Sequence, residues 1–173
     1  MQKRRSPRRP HRRPSAIPPG FRTVTPYLSL EGGAAALEFY RKAFGAKKLS
    51  EVLTPDGKLV HGRIRIGDSI VMLSDVFEGA RASSPARLGT STVTLHIYSK
   101  NVDALWSRAV AAGARVAMPL GNQFWGERYG QLIDPFGHLW SLSMRVAMSR
   151  AERDAMQREA MAGFSTDKPP DAT

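Results

Sequence analysis

The chain has 173 residues, 26 Lys and Arg against 15 Asp and Glu, and a hydrophobic share of 42%. That size and composition suit one domain, or two half-domains sharing a core. It has no cysteine, which excludes disulfides, thiolate nucleophiles and Cys-based metal sites. No apolar run approaches the ~20 residues that span a bilayer, and the basic start leads into prolines and not into an apolar signal segment. A cytoplasmic protein without a membrane partner is the expectation.

The net charge of +11 is unevenly spread. The first twenty residues hold seven of the Lys and Arg, five prolines and no acidic residue, leaving the remainder at 19 − 15 = +4. Residues 1–22 are therefore expected to form a disordered basic tail. Such an arm can bind nucleic acid through counterion release. No aromatic residue interrupts it to stack on bases, so a solvated tail is favoured over a nucleic-acid partner.

In chain order, "TVTPYLSL" (23–30) alternates as a strand, and "EGGAAALEFYRKAFGA" places Leu37, Tyr40 and Phe44 at helical spacing, ended by Gly45. "KKLSEVLT" is a strand, Pro55-Asp56-Gly57 a hairpin turn, and "LVHGRIRI" and "SIVMLSD" a strand pair about Gly67-Asp68. The order β-α-β-β-β then recurs. "GTSTVTLHIYSK" is a strand, and "NVDALWSRAVAAGA" a helix with Asn101 as N-cap. "RVAMPL" is a strand, "GNQFWG" a loop, and "ERYGQLI" and "HLWSLSM" form the closing pair about Asp134-Pro135-Phe136-Gly137.

Gly45 aligns with Gly113 at an offset of 68, and Thr25 with Thr94 at 69, so the chain is a duplication. The expected layout is a first module at 23–77, a linker at 78–89 and a second module at 90–146. A helix at 147–163 opens on the capping box Ser149-x-x-Glu152, and a disordered tail covers 164–173.

The doubled β-α-β-β-β, with "ALEFYRKAFGA" in the first half and "DPFGHLWSL" in the second, resembles the vicinal oxygen chelate superfamily of glyoxalases, bleomycin-resistance proteins and extradiol dioxygenases. "VHGRIRIGDSIVMLSD" and "FWGERYGQLIDPFGHLW" are similar to its PhnB-like branch. The resemblance implies an α+β fold in which two βαβββ modules form a curved sheet around a central cavity. It also implies a homodimer.

Metal-dependent relatives hold a divalent ion on four inward-facing His, Gln or Glu residues. Carried onto this chain, the resemblance puts those positions at Thr25, Met72, Thr94 and Ser141. A hydroxyl or a thioether supplies neither the charge nor the basicity that such an ion needs, so no metal and no other cofactor is expected. A slip of two residues brings in His96 on one strand only.

Strand alternation puts Val24, Leu28, Val71, Leu73, Val93, Leu95, Ile97, Trp140 and Leu142 on an apolar face. Thr25, Tyr27, Met72, Thr94, His96, Ser141 and Ser143 fall on a mildly polar one, suited to lining a ligand cavity. His61 alternates with Arg63 and Arg65, opposite Val60, Ile64 and Ile66, and is a candidate base or ligand anchor, or a hydrogen-bonded strand histidine. His138 is a strand-end residue. Glu127 either pairs with Arg128 at the surface or faces inward as an acid/base or ligand contact. Phe124 and Trp125 occupy a loop, and one of them is expected at the cavity rim, with Tyr129 nearby on the following strand.

The expectation is thus a metal-independent small-molecule binding protein that holds a partly aromatic ligand between its modules. Arg63, Arg65 and Arg128 near the mouth favour a neutral or anionic ligand. The alternatives are a lyase, isomerase or dioxygenase with a metal relocated to His61, His96 and Glu127, and a nucleic-acid-associated protein.

Overall fold

The computed structural model describes residues 15–162; most of the expected basic arm (1–14) and the tail 164–173 lie outside the described residues. The elements are β1 (Tyr27–Leu30), α1 (Gly33–Phe44), β2 (Lys47–Leu53), β3 (Leu59–Ile66), β4 (Ser69–Asp75), α2 (Pro85–Leu88), β5 (Thr94–Tyr98), α3 (Val102–Ala111), β6 (Arg115–Gln123), β7 (Glu127–Ile133), β8 (Leu139–Arg145) and α4 (Arg150–Ala162). They form two four-stranded mixed sheets, ordered β1-β4-β3-β2 and β5-β8-β7-β6. Each repeats the other: the first strand pairs parallel to the last, and the others are antiparallel.

Local chemistry explains the element ends. Asn101 caps α3 by accepting the Ala104 N–H, and Gly45 closes α1 in a left-handed turn at φ 67°. Ser149 and Glu152 satisfy each other's backbone N–H groups in the expected capping box, opening α4.

The first strand is shorter than its alternation suggests. Pro26 has no N–H to donate, and its carbonyl accepts from Met72 before pairing begins at Tyr27. Val24 and Val93, expected on the apolar face, precede their strands and are exposed. Val60 is exposed as well, because a register shift between Val52 and Leu53 lets Leu59 and Gly62 take the buried positions. The "GNQ" of the expected 121–126 loop extends β6, leaving a tight turn at Gly126.

One core serves both modules. Leu28, Leu30, Val71 and Leu73 from the first sheet and Leu132, Trp140 and Leu142 from the second are buried in a single cluster with Tyr40 and Phe44 of α1 and Leu105 and Ala109 of α3. The Tyr40 hydroxyl donates to Asp134 across the modules at 2.7 Å, and the Arg108 guanidinium donates to the Ala43 carbonyl. The helix sides of both sheets therefore meet, and their opposite faces turn outward. Between the modules a groove of about 820 Å³ runs past β5, with Phe44, Leu105 and Trp140 among its lining.

Candidate functional site

The outward face of the second sheet is built by register. Tyr98 of β5, Ser143 of β8, Tyr129 of β7 and Gly121 of β6 form one cross-strand row; His96, Ser141, Gln131 and Met118 form the next. β8 contributes serines to both rows, and they are 1% and 0% exposed at Ser141 and Ser143. Small residues on β8 thus let the larger side chains of β5 and β7, two strand spacings or ~10 Å apart at the backbone, close over them, with the His96 and Tyr129 rings 6.0 Å apart. Tyr98 is 65% exposed and Trp125 42%, so the rim is open and aromatic.

Polar groups on this face are tied together. His96 Nδ1 lies 2.7 Å from Ser141 Oγ, and its ring stacks toward Tyr129 at 6.0 Å. Gln131 donates to the Tyr129 hydroxyl. Glu127 turns onto this same face, away from Arg128. It accepts from Ser143 Oγ at 2.7 Å, Tyr98 at 2.9 Å and the Trp125 indole N–H at 3.3 Å. Burial alone would raise its carboxyl, but these three donors, with the charge of His96, outweigh that and hold it below the ordinary carboxylate range. Its hydrogen bond to the Tyr98 hydroxyl, and then its negative charge, push that phenol up in turn.

Arg128, expected near the mouth, lies on the helix side, where it makes a bidentate pair with Asp103 of α3. It carries no charge to the ligand face.

The corresponding face of the first sheet holds Tyr27, His61, Arg63 and Met72. The Tyr27 hydroxyl and His61 Nδ1 are 3.2 Å apart, and Arg63 donates to Ser50 at 2.7 Å. Thr25 lies outside β1, bonded to the Arg22 carbonyl; with Thr94 it lines the inter-module groove. Phe124 packs edge-on against Trp125 at 5.0 Å, supporting the rim.

Register also tests the metal positions. Tyr27 pairs with Met72, and His96 with Ser141; each pair is displaced from the other by 69 residues, the spacing of the duplication. The four paired residues at that spacing are Tyr27, Met72, His96 and Ser141, with Thr25 and Thr94 two residues before the first of each pair. That set contains one imidazole and no carboxylate, a donor set that does not fit a divalent transition ion. His61, His96 and Glu127 do not converge either: His61 belongs to the other sheet, and among the described residues no three His, Asp or Glu side chains are grouped to hold a metal.

His138 is buried at the start of β8, beside the backbone of Ser29, with its Nε2 unpartnered. It belongs to the hairpin, not to either ligand face. Tyr98 is the site residue the sequence reading left out, although the signal was present, since it lies two positions along β5 from His96.

Comparison with known proteins agrees with this architecture. The profile of the Glyoxalase/Bleomycin resistance protein/Dioxygenase superfamily matches residues 31–142. An uncharacterised protein of Mycobacterium tuberculosis is 44% identical over 126 residues, covering 71% of this chain and 74% of that one. Among solved structures, TioX from Micromonospora sp. ML1 is 27% identical with a TM-score of 0.56, over 74% of this chain and all of its own. A Bacillus cereus PhnB protein superposes with a TM-score of 0.58 at 21% identity, over 71% of this chain and 99% of its own, a likeness of fold alone. Doubled βαβββ modules, the register of the paired strands and this profile together place the chain in the Glyoxalase/Bleomycin resistance protein/Dioxygenase superfamily.

Proposed function

We propose that the chain binds a small, partly aromatic organic molecule on the outward face of its second module, without a metal ion. The observation that supports this reading is a cluster of exposed aromatic side chains, Tyr98 and Trp125, tied by hydrogen bonds to the fixed polar group Glu127 on that face. Exposed aromatic groups around a few fixed polar ones are the usual makeup of a ligand site.

The active form in this proposal is a homodimer. The outer edges of β1 and β5 are unpaired among the described residues, and open edges invite strand pairing. A second copy could lay its first-module face, with Tyr27, His61 and Arg63, against this aromatic cluster and enclose a ligand between the two faces.

The test is a thermal-shift screen of aromatic compounds, with Trp fluorescence as the second readout, since Trp125 lies at the rim. A binder should raise the melting temperature with concentration and lose its fluorescence response in Trp125→Leu. The absence of any stabilising compound at saturating concentration overturns the reading. Sedimentation equilibrium should give the dimer mass; a monomer throughout overturns the dimer. Elemental analysis of protein purified without chelator should find transition metal far below one equivalent. A stoichiometric metal overturns the metal-free reading.

A further inference from the structure

The basic charge of the chain is not confined to its first twenty residues. On the outward face of the first sheet, register sets Lys47, Arg65 and Ile70 in one cross-strand row and Ser50, Arg63 and Met72 in the next. The carboxylates of these strands lie on the other side: Glu51 pairs with Gly62 and Asp75 with Leu30, both on the helix side. Lys47 and Arg65 are exposed, and neither has an ion-pair partner among the described residues.

The entry of the chain lies against the same row. A Cβ added at Gly20 would meet Ile70 Cδ1 at 3.2 Å. Arg22, also exposed and without an ion-pair partner among the described residues, lines the inter-module groove with Ser69 and Ile70. Asp68 is the one carboxylate in that lining, and it accepts from the Ser69 hydroxyl. Before Gly20 the sequence supplies Lys3 and the pairs Arg4-Arg5, Arg8-Arg9 and Arg12-Arg13, and no acidic residue precedes Glu31. The basic segment therefore leads onto a sheet row that is itself positive.

We propose that this row and the basic segment before it form one surface for the phosphate backbone of double-stranded nucleic acid. Arg guanidinium groups match phosphate oxygens with paired donors, and all but one of the cations before Gly20 are Arg. The lack of an aromatic residue there counts against stacking on single-stranded bases. It does not count against a duplex, whose backbone is held by charge alone. The same segment has no large apolar residue between Met1 and Ile17, whereas stable membrane anchoring needs an apolar group beside the charge. The row sits at the start of β2 and the end of β3, beyond Arg63, so this surface does not depend on the small-molecule site. It reverses the solvated tail that the sequence alone favours.

The test is fluorescence anisotropy of the full chain with a labelled DNA duplex across a salt series. With six or more phosphates engaged, affinity should fall about 10³-fold or more between about 50 and 200 mM salt, and duplexes of unrelated sequence should bind alike. Arg22→Gln, Lys47→Gln and Arg65→Gln together should lower the slope of log affinity against log salt by about 2–3, and Gln at the six arginines before Gly20 should lower it by about 5. Should the triple variant unfold, Lys47→Gln alone, expected to remove about one, reads the same row. A slope unchanged by these sheet variants overturns the joint surface, and weak binding that is insensitive to salt overturns it outright. Tighter binding to vesicles of mixed neutral and anionic lipid than to the duplex overturns the nucleic-acid partner and assigns the surface to a membrane.

Discussion

Asp134 holds together more of this protein than any other buried polar group described above, and removing it is the most demanding test of the fold. Its carboxylate is 4% exposed and accepts four hydrogen bonds: from the Tyr40 hydroxyl at 2.7 Å, the Trp140 indole at 2.8 Å, and the backbone N–H groups of Phe136 and His138 at 2.9 Å. Burial beside this carboxylate raises the Tyr40 phenol well above its ordinary value, so the phenol stays protonated and donates.

Asp134→Ala leaves three deeply buried donors without an acceptor, because the Phe136 N–H alone is near enough to solvent to find water. At ~1–3 kcal/mol for each unsatisfied buried group, the loss is about 3–9 kcal/mol, a large part of the ~5–15 kcal/mol that holds a domain folded. Tyr40→Phe removes one donor and leaves the carboxylate well served, so about 1 kcal/mol is expected. Asp134→Asn falls between, at about 2 kcal/mol. Tyr40 can turn its hydroxyl to accept from the new amide, but the Trp140 indole can only donate. Urea unfolding followed by Trp fluorescence and far-UV circular dichroism measures all three. If Asp134→Ala stays within about 1 kcal/mol of the parent, the cross-module bond is not the support described here.

Three further outcomes are expected. Glu127 has a folded-state carboxyl below its unfolded value, so its stabilising contribution is present above the unfolded pKa of about 4.3 and lost as pH falls through the folded one. The stability gap between the parent and Glu127→Gln should therefore close between neutral and strongly acidic pH; a gap independent of pH refutes the hydrogen-bonded carboxylate. At Gly130 an added Cβ meets the Trp106 ring at 2.6 Å and the Leu120 Cα at 2.9 Å, so Gly130→Ala should cost about 1–3 kcal/mol in urea. A neutral substitution there contradicts the close approach of α3 to β7. Because α4 buries none of its side chains, Ser149→Ala should lower helical dichroism without moving the cooperative unfolding midpoint, and a shifted midpoint would mean that α4 supports the core.

The duplication, the helices α1, α3 and α4 and the hairpin pairs were legible because each is written in local chemistry: Gly45 and Asn101 at helix ends, alternation in "SIVMLSD", the turn residues between; the short α2 falls in the stretch read as a linker. Register was less so. Thr25 and Thr94 were chosen by counting back from the helices, which cannot see that Pro26 delays the strand or that His96 pairs with Ser141 on a strand more than forty residues away. The direction of Glu127 was open for the same reason. Only the sheet shows that Ser143 stands beside it and that Arg128, one residue on, points to the opposite side. How the modules meet depends on helix packing between distant residues such as Tyr40 and Trp140, which no periodicity encodes.

The two copies of the repeat have diverged in a complementary way. At the 69-residue spacing, Gly33, Ala36 and Tyr40 of α1 correspond to Val102, Leu105 and Ala109 of α3, all buried. Small, small and large in one helix become large, large and small in the other. Val71 likewise corresponds to Trp140, and the register of the closing hairpins sets Ile66 where the second module has Asp134. The halves are thus no longer interchangeable parts. A chain carrying two second halves would face Trp140 and Asp134 with Ala109 in place of Tyr40, a void and an unmet carboxylate at once. A chain carrying two first halves would bury Tyr40 with no acceptor. An ancestor made of identical halves could assemble from either; this descendant has become an obligate pair of unlike pieces, joined in one order.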